Sequence, residues 1–307
     1  MHYVTDRGEV NALDAVSLSL DPSETLGVVG ETGCGKSTLG KAILGIMPRN
    51  ARVRGQVLFR GTDLLSLDDE SLRRIRGKDI ALIFQDPMTR LNPLLTIEDH
   101  FIEEIRAHEE ISRDEARTRA RTALESMGIP ESRMRNFPHE FSGGMRQRIM
   151  IALALVMRPS VLLADEPTTS LDVIVEAQIL EILRDLRAAY KMALLLITHN
   201  LGIVAEACDR VAVLYAGKLV EVGSVFDIFA RPVHPYTQAL LKSVIHLETK
   251  ELFSIEGSPP DLVDPPTGCR FHPRCPYAQE ICSREVPPLV EYRDRQLAAC
   301  HFGKDFL

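Results

Sequence analysis

The nine residues Gly30-Glu31-Thr32-Gly33-Cys34-Gly35-Lys36-Ser37-Thr38 constrain this chain more than any other stretch. They read G-x-x-x-x-G-K-S, after the apolar run Thr25 to Val29 and before a helix-forming run, Leu39 to Leu44. A strand, a glycine-rich turn and a helix start, in that order, make a phosphate-binding loop. The glycines free the backbone to aim its N–H groups inward as an anion nest. The helix start adds the positive end of its dipole. In such a loop Lys36 reaches the β- and γ-phosphates of a nucleotide and the Ser37 hydroxyl binds Mg²⁺. Chance supplies the pattern in a chain this long with odds on the order of one per cent, and the correct flanks lower that further.

A loop of this kind needs a parallel sheet behind it, and the chain supplies the strands. Val161-Leu162-Leu163-Ala164-Asp165-Glu166 and Ala193 to Ile197 are continuous apolar runs, the pattern of strands buried on both faces. Ile80 to Phe84 is a third, ending at Gln85, and Arg210 to Leu214 turns at Ala216-Gly217 into Lys218 to Val222. Residues 10–20 alternate loosely and read as a strand. Between about residues 87 and 157 the composition favours helices, over Ile97–Ala107, Arg113–Met127 and Gly144–Met157. Ser112 with Glu115 gives the second of these a capping-box start. Strands alternating with helices predict an α/β P-loop domain over 1–230, with 87–157 as a helical insertion. From Arg231 prolines break up regular structure, so 231–307 reads as a C-terminal extension.

Several residues stand at strand ends, where a parallel sheet lines its ligand crevice. Asp165 ends an apolar strand, as an Mg²⁺-orienting carboxylate does. Glu166 follows it and points elsewhere, free to face an attacking water. Gln85 and His199 each end another strand. Ser142-Gly143-Gly144 is a second glycine-rich step into a helix and a second anion site. The chain has one phosphate loop, so a second subunit is expected to bring this end its phosphate. The setting of Cys34, beside a helix start and Lys36, can lower a thiol pKa; the plainer reading is a small residue that fits the loop.

Net charge is −7 with no block of like charge, which weighs against a nucleic-acid partner. The longest apolar run, Ile149 to Met157, is far short of a membrane span. With no basic-then-apolar leader pattern, a cytosolic location is expected, and any membrane role runs through a partner. Cys269, Cys275, Cys282 and Cys300 sit together with spacing C-x5-C-x6-C-x17-C. In a cytosolic chain such a group favours metal or cluster binding over disulfides. Zinc sites more often use closer pairs, whereas four thiolates can hold an iron–sulfur cluster.

Taken in order, Gly30 to Ser37, Gln85, Phe141-Ser142-Gly143-Gly144-Met145, Asp165-Glu166-Pro167, Ser170-Leu171-Asp172 and His199 resemble the motifs of ABC transporter ATP-binding subunits. His234-Pro235-Tyr236-Thr237-Gln238 and the Pro/Cys-rich tail resemble the oligopeptide/dipeptide importer type. The resemblance implies two such domains closing head-to-tail around two ATPs. Ser142 and Gly144 of one subunit would touch the γ-phosphate held by the other's Lys36. Glu166 would be general base, His199 would hold the γ-phosphate, and Gln85 would sense Mg²⁺ and the membrane subunit. Asp172 would couple the two sites, and Tyr3 would stack on adenine. So near the chain's start, Tyr3 is expected to be loosely held. For the four cysteines the resemblance favours a four-iron–four-sulfur cluster, with zinc and free thiols as alternatives. It also implies a second ATPase subunit, pointing to a paralogue, two membrane-spanning permease subunits, an extracytoplasmic solute-binding protein, and a place on the cytoplasmic membrane face. The alternative is a soluble ABC ATPase outside transport. Tandem ATP domains or a long coiled-coil insertion would mark it, and the sequence has neither.

Overall fold

The computed structural model describes residues 1–85, 90–168, 173–243 and 254–307, and the chain divides into two compact bodies. One comprises 1–20, 24–65 and 196–307; the other comprises 21–23 and 66–195.

The first body begins with strands β1 (His2–Thr5) and β2 (Gly8–Val10). The expected strand over 10–20 is therefore not formed; regular structure stops at Val10. Ala12 and Leu13 are buried all the same, because the phosphate loop lies against their backbone. Strand β3 (Thr25–Val29), buried throughout, feeds that loop, and helix α1 (Lys36–Ile43) follows it. Strand β4 (Ala51–Arg52) pairs antiparallel with β1, whose other edge takes β2. Strands β5 (Leu58–Phe59) and β6 (Thr62–Asp63) form a small hairpin. Its turn residues Arg60 and Gly61 both have positive φ, 49° and 82°, the conformation that matches a hairpin's twist.

The second body carries helix α2 (Asp69–Ile75), strand β7 (Ile80–Ile83), helices α3 (Ile97–His108), α4 (Arg113–Ser126) and α5 (Gly143–Leu155), strand β8 (Val161–Asp165) and helix α6 (Val173–Tyr190). Each of the three middle helices starts on a hydroxyl cap, Thr96, Ser112 or Ser142. Ser112 and Glu115 form the expected reciprocal box, a pairing worth about 1 kcal/mol. Their inward faces, including Phe101, Ile105, Leu124 and Ile149, are buried. Strands β7 and β8 pair in parallel, Ile80 opposite Val161 through Ile83 opposite Ala164.

Strand β9 (Ala193–Ile197) returns the chain to the first body, which continues with helix α7 (Leu201–Ala207) and the hairpin β10 (Arg210–Tyr215) and β11 (Lys218–Ser224). Helices α8 (Val225–Ala230), α9 (Pro235–Lys242) and α10 (Glu280–Arg284) precede strands β12 (Val290–Arg293) and β13 (Gln296–Ala298). Strand β13 adds to β11, giving the order β12-β13-β11-β10-β3 within this body. The proline-rich extension thus supplies two strands to the sheet behind the phosphate loop. Buried Glu221 on β11 secures the join. Its carboxylate accepts the N–H groups of Val233 (2.8 Å) and His234 (2.9 Å) and the amide of Gln296 (2.9 Å).

Candidate functional site

In the first body the loop from Gly30 to Gly35 wraps its own lysine. Lys36 is 6% exposed, and its ammonium donates to the carbonyls of Gly30 (2.7 Å) and Glu31 (3.1 Å). Two glycines are sterically required. Gly30 has φ 150° and a Cβ there would strike the Leu214 carbonyl; Gly35 has φ 106° and a Cβ there would strike that of Ala12. Gly33 also has positive φ, 81°, but opens to space, as does the exposed Thr32 beside it. Ser37 and Thr38 fall in the first turn of α1. The loop is also held from outside: Gly217 N–H donates to the Cys34 carbonyl (2.9 Å) and Glu31 N–H donates to the Tyr236 hydroxyl (2.9 Å).

One expectation changes here. Tyr3 is not loosely held: it pairs with Val10 on one side and Ala51 on the other, and its hydroxyl bonds Thr38 Oγ1 at 3.2 Å. Cys34 is 3% exposed and burial pushes its thiol pKa up, against the pull of Lys36, in keeping with the plainer reading of a small residue that fits the loop. Asn200, which follows His199, is the N-cap of α7 and accepts the N–H groups of Gly202 and Ile203. The exposed His199 follows Thr198, whose N–H donates to Val28 on the strand that enters the loop.

In the second body the β7–β8 register sets the chemistry. Continued two residues past the paired ends, it brings Gln85 opposite Glu166, and Gln85 Nε2 donates to Glu166 Oε2 at 2.8 Å. Glu166 holds φ at 47°, a left-handed conformation that costs a non-glycine residue of order 1 kcal/mol and turns its side chain off the strand. Asp165, one residue earlier, is 5% exposed. Ser142 caps α5 by accepting the Met145 N–H (3.3 Å), and Gly143 and Ser142 are exposed at the helix tip. Gln147, on the same helix, is 3% exposed and donates to the Pro167 carbonyl just after Glu166. Asp172 lies outside the described residues.

The four tail cysteines converge. Cys269, Cys275, Cys282 and Cys300 all line one cavity with His234, His272, His301 and Phe271. Burial, reinforced by the neighbouring thiols, pushes Cys269 and Cys300 up to about 11 and raises Cys275. His234 is fully buried and pushed down to about 3, so it stays neutral. Among the described residues, no three His, Cys, Asp or Glu side chains stand in metal-holding positions, so the thiols share a cavity without forming a preset cage.

Sequence reasoning missed Glu31, Gln147, Tyr236 and Arg274 as parts of these sites. Arg274 makes a bidentate ion pair with the Glu31 carboxylate (2.7 and 3.0 Å) across 243 residues. No local pattern announces such a contact.

Comparison with known proteins gives a consistent set of likenesses. The family model for "ABC transporter" matches residues 13–169, and that for "Oligopeptide/dipeptide transporter, C-terminal region" matches 220–282. The dipeptide transport ATP-binding protein DppD of Bacillus subtilis is 47% identical over 304 residues, covering 97% of this chain and 91% of the relative. The oligopeptide transport ATP-binding protein OppD of Escherichia coli is 45% identical, covering 97% and 89%. Among solved structures, the dimeric ATP-binding cassette MJ0796 in a post-hydrolysis state bound to ADP and Pi is similar with a TM-score of 0.66. It is 28% identical and covers 73% of this chain and 95% of the other.

Proposed function

The chain belongs to the ABC transporter family and carries its oligopeptide/dipeptide type of C-terminal region, and on that premise we propose how its residues drive the uptake of peptides or related small solutes. It is an ABC-type ATPase, the motor of an importer. The observation that carries the assignment is the glycine-rich loop closed around Lys36 at the start of α1, the arrangement that binds a triphosphate.

Lys36 and backbone amides of the glycine-rich loop bind the β- and γ-phosphates. Ser37 and Asp165 offer a hydroxyl and a carboxylate, the hard oxygen donors Mg²⁺ prefers. When bound, the ion supplies charge neutralisation on the transferring phosphoryl group. Glu166, steadied by Gln85, takes a proton from the attacking water as it adds to the γ-phosphorus and ADP leaves. His199 holds the γ-phosphate. Ser142, Gly143 and Gly144 complete the site of a second ATPase subunit, a paralogue, and Asp172 couples the two. Among the described residues no helix is long and apolar enough to cross a membrane. As the importer's motor, the chain sits in this reading on the cytoplasmic membrane face, bound through Gln85 and the helical insertion to two permease subunits. An extracytoplasmic solute-binding protein delivers the cargo.

Co-purification with those subunits tests this assignment. ATP hydrolysis by the assembly is expected to rise when the solute-binding protein arrives loaded. Hydrolysis that proceeds at full rate without any membrane subunit supports the soluble alternative. Tyr3 has a separate test: Tyr3→Ala is expected to raise the ATP dissociation constant several-fold, the scale of one lost aromatic–base stack, and an unchanged constant removes Tyr3 from the site.

The four cysteines fit a four-iron–four-sulfur cluster in donor chemistry, since all four thiols share one largely apolar cavity. Cys269, Cys275, Cys282 and Cys300 would hold it, and it would staple a proline-rich segment. Anaerobically purified protein is expected to contain iron and acid-labile sulfide. Zinc without either supports the alternative metal, and absence of all three leaves free thiols.

A further inference from the structure

The phosphate loop has a brace that its own motif does not encode. Glu31 occupies the second position of the loop, where an uncompensated carboxylate would repel a triphosphate bound by the same loop. Arg274, from the cysteine-bearing segment, meets both its oxygens: Nη1 donates to Oε2 at 2.7 Å and Nη2 to Oε1 at 3.0 Å. The guanidinium also donates to the Tyr215 hydroxyl (3.2 Å) and to the carbonyls of Glu256 (2.8 Å) and Ile255 (3.3 Å). Its side chain is 6% exposed and that of Glu31 is 23% exposed. This is a partly desolvated, fork-to-fork pair, the strong and orientation-specific kind. Four residues away Arg270 makes a parallel strap, donating to the Ala216 carbonyl and to Asp14 (2.8 Å). The Glu31 N–H, meanwhile, is taken by Tyr236 of α9. Tyr215, Tyr236 and Phe271 pack behind these contacts, with centroids 4.5 to 5.3 Å apart.

We propose that Arg274 is a positioning residue of the ATP site: it cancels the Glu31 charge and fixes the outer limb of the phosphate loop, so the C-terminal region takes part in nucleotide binding. This rests on the reading of the loop as an ATP site. The charge argument predicts that Arg274 matters only while Glu31 is ionised, which a packing role does not.

The test is ATP affinity of the full-length chain in two backgrounds. With Glu31 present, Arg274→Met is expected to raise the dissociation constant about tenfold, less at high salt. In the Glu31→Gln background the same change is expected to alter it less than twofold. Arg274→Lys keeps the charge without the fork and is expected to fall between wild type and Arg274→Met. An equal loss in both backgrounds, or no loss in either, overturns the proposal. Should Arg274→Met fail to fold, the Glu31→Gln pair still decides, because a tenfold loss there contradicts the charge argument. Failure of the wild-type chain to bind ATP would overturn the ATP reading itself, and this one with it.

Discussion

Glu166→Gln is expected to slow ATP hydrolysis by the assembled transporter at least about 100-fold while leaving ATP binding intact. Removing a general base from a positioned water costs about 10² to 10⁴ in rate. The replacement is nearly isosteric, and its amide oxygen still accepts from Gln85 Nε2, the 2.8 Å partner of the carboxylate. The backbone at φ 47° is unchanged in kind. The variant therefore separates proton transfer from architecture. Single-turnover measurement on the assembled complex reads it: ATP is bound and retained, and phosphate release is lost. Wild-type hydrolysis by this variant removes Glu166 from the role of base.

Ser142→Asp is the second large effect. Aspartate is as good an N-cap as serine, so α5 keeps the bond that Ser142 Oγ now accepts from Met145. Thermal stability should move little. On the proposed reading, however, a carboxylate at that helix tip would oppose the γ-phosphate that a partner subunit presents. Loss of one preorganised donor at developing phosphoryl charge costs about 10² to 10³ in rate, and a like charge adds to it. Hydrolysis is expected to fall about 100-fold or more at the site this helix completes. ATP binding to the isolated chain, which uses the chain's own phosphate loop, is expected to persist. Full activity with an unchanged melting temperature would show that Ser142 has no phosphate to meet.

The elements that stand behind the site were legible because they answer to local rules. Strands β3, β8 and β9 are continuous apolar runs, and the structure buries four or five residues of each. Helix α4 announces its start with Ser112 and Glu115, and the β10–β11 hairpin announces its turn with Ala216-Gly217. The phosphate loop was legible because glycine is needed where backbone approaches backbone, as at Gly30 and Gly35. What escaped is tertiary. Residues 10–20 alternate but carry no strand beyond Val10; Ala12 and Leu13 are buried by their contact with the loop. The hairpin of β12 and β13 hides in a proline-rich stretch, and its place beside β11 depends on the buried carboxylate of Glu221. Burial raises that carboxylate's pKa against the hydrogen bonds that lower it, a balance no sequence window reports. Gln85 was placed at a strand end, but its bond to Glu166 comes from the β7–β8 register. At Cys34 the sequence left the balance between Lys36 and burial open, and desolvation settles it by raising the thiol's pKa.

The central claim is that ATP held by one subunit is completed by the glycine-lined helix tip of another. Vanadate trapping in the assembled transporter tests it directly, because vanadate takes the γ-phosphate's place and cuts the backbone beside it under ultraviolet light. Two cuts are expected in this chain, one within Gly33 to Ser37 and one at Ser142 to Gly144. Cutting at the phosphate loop with none at Ser142 to Gly144 would contradict it.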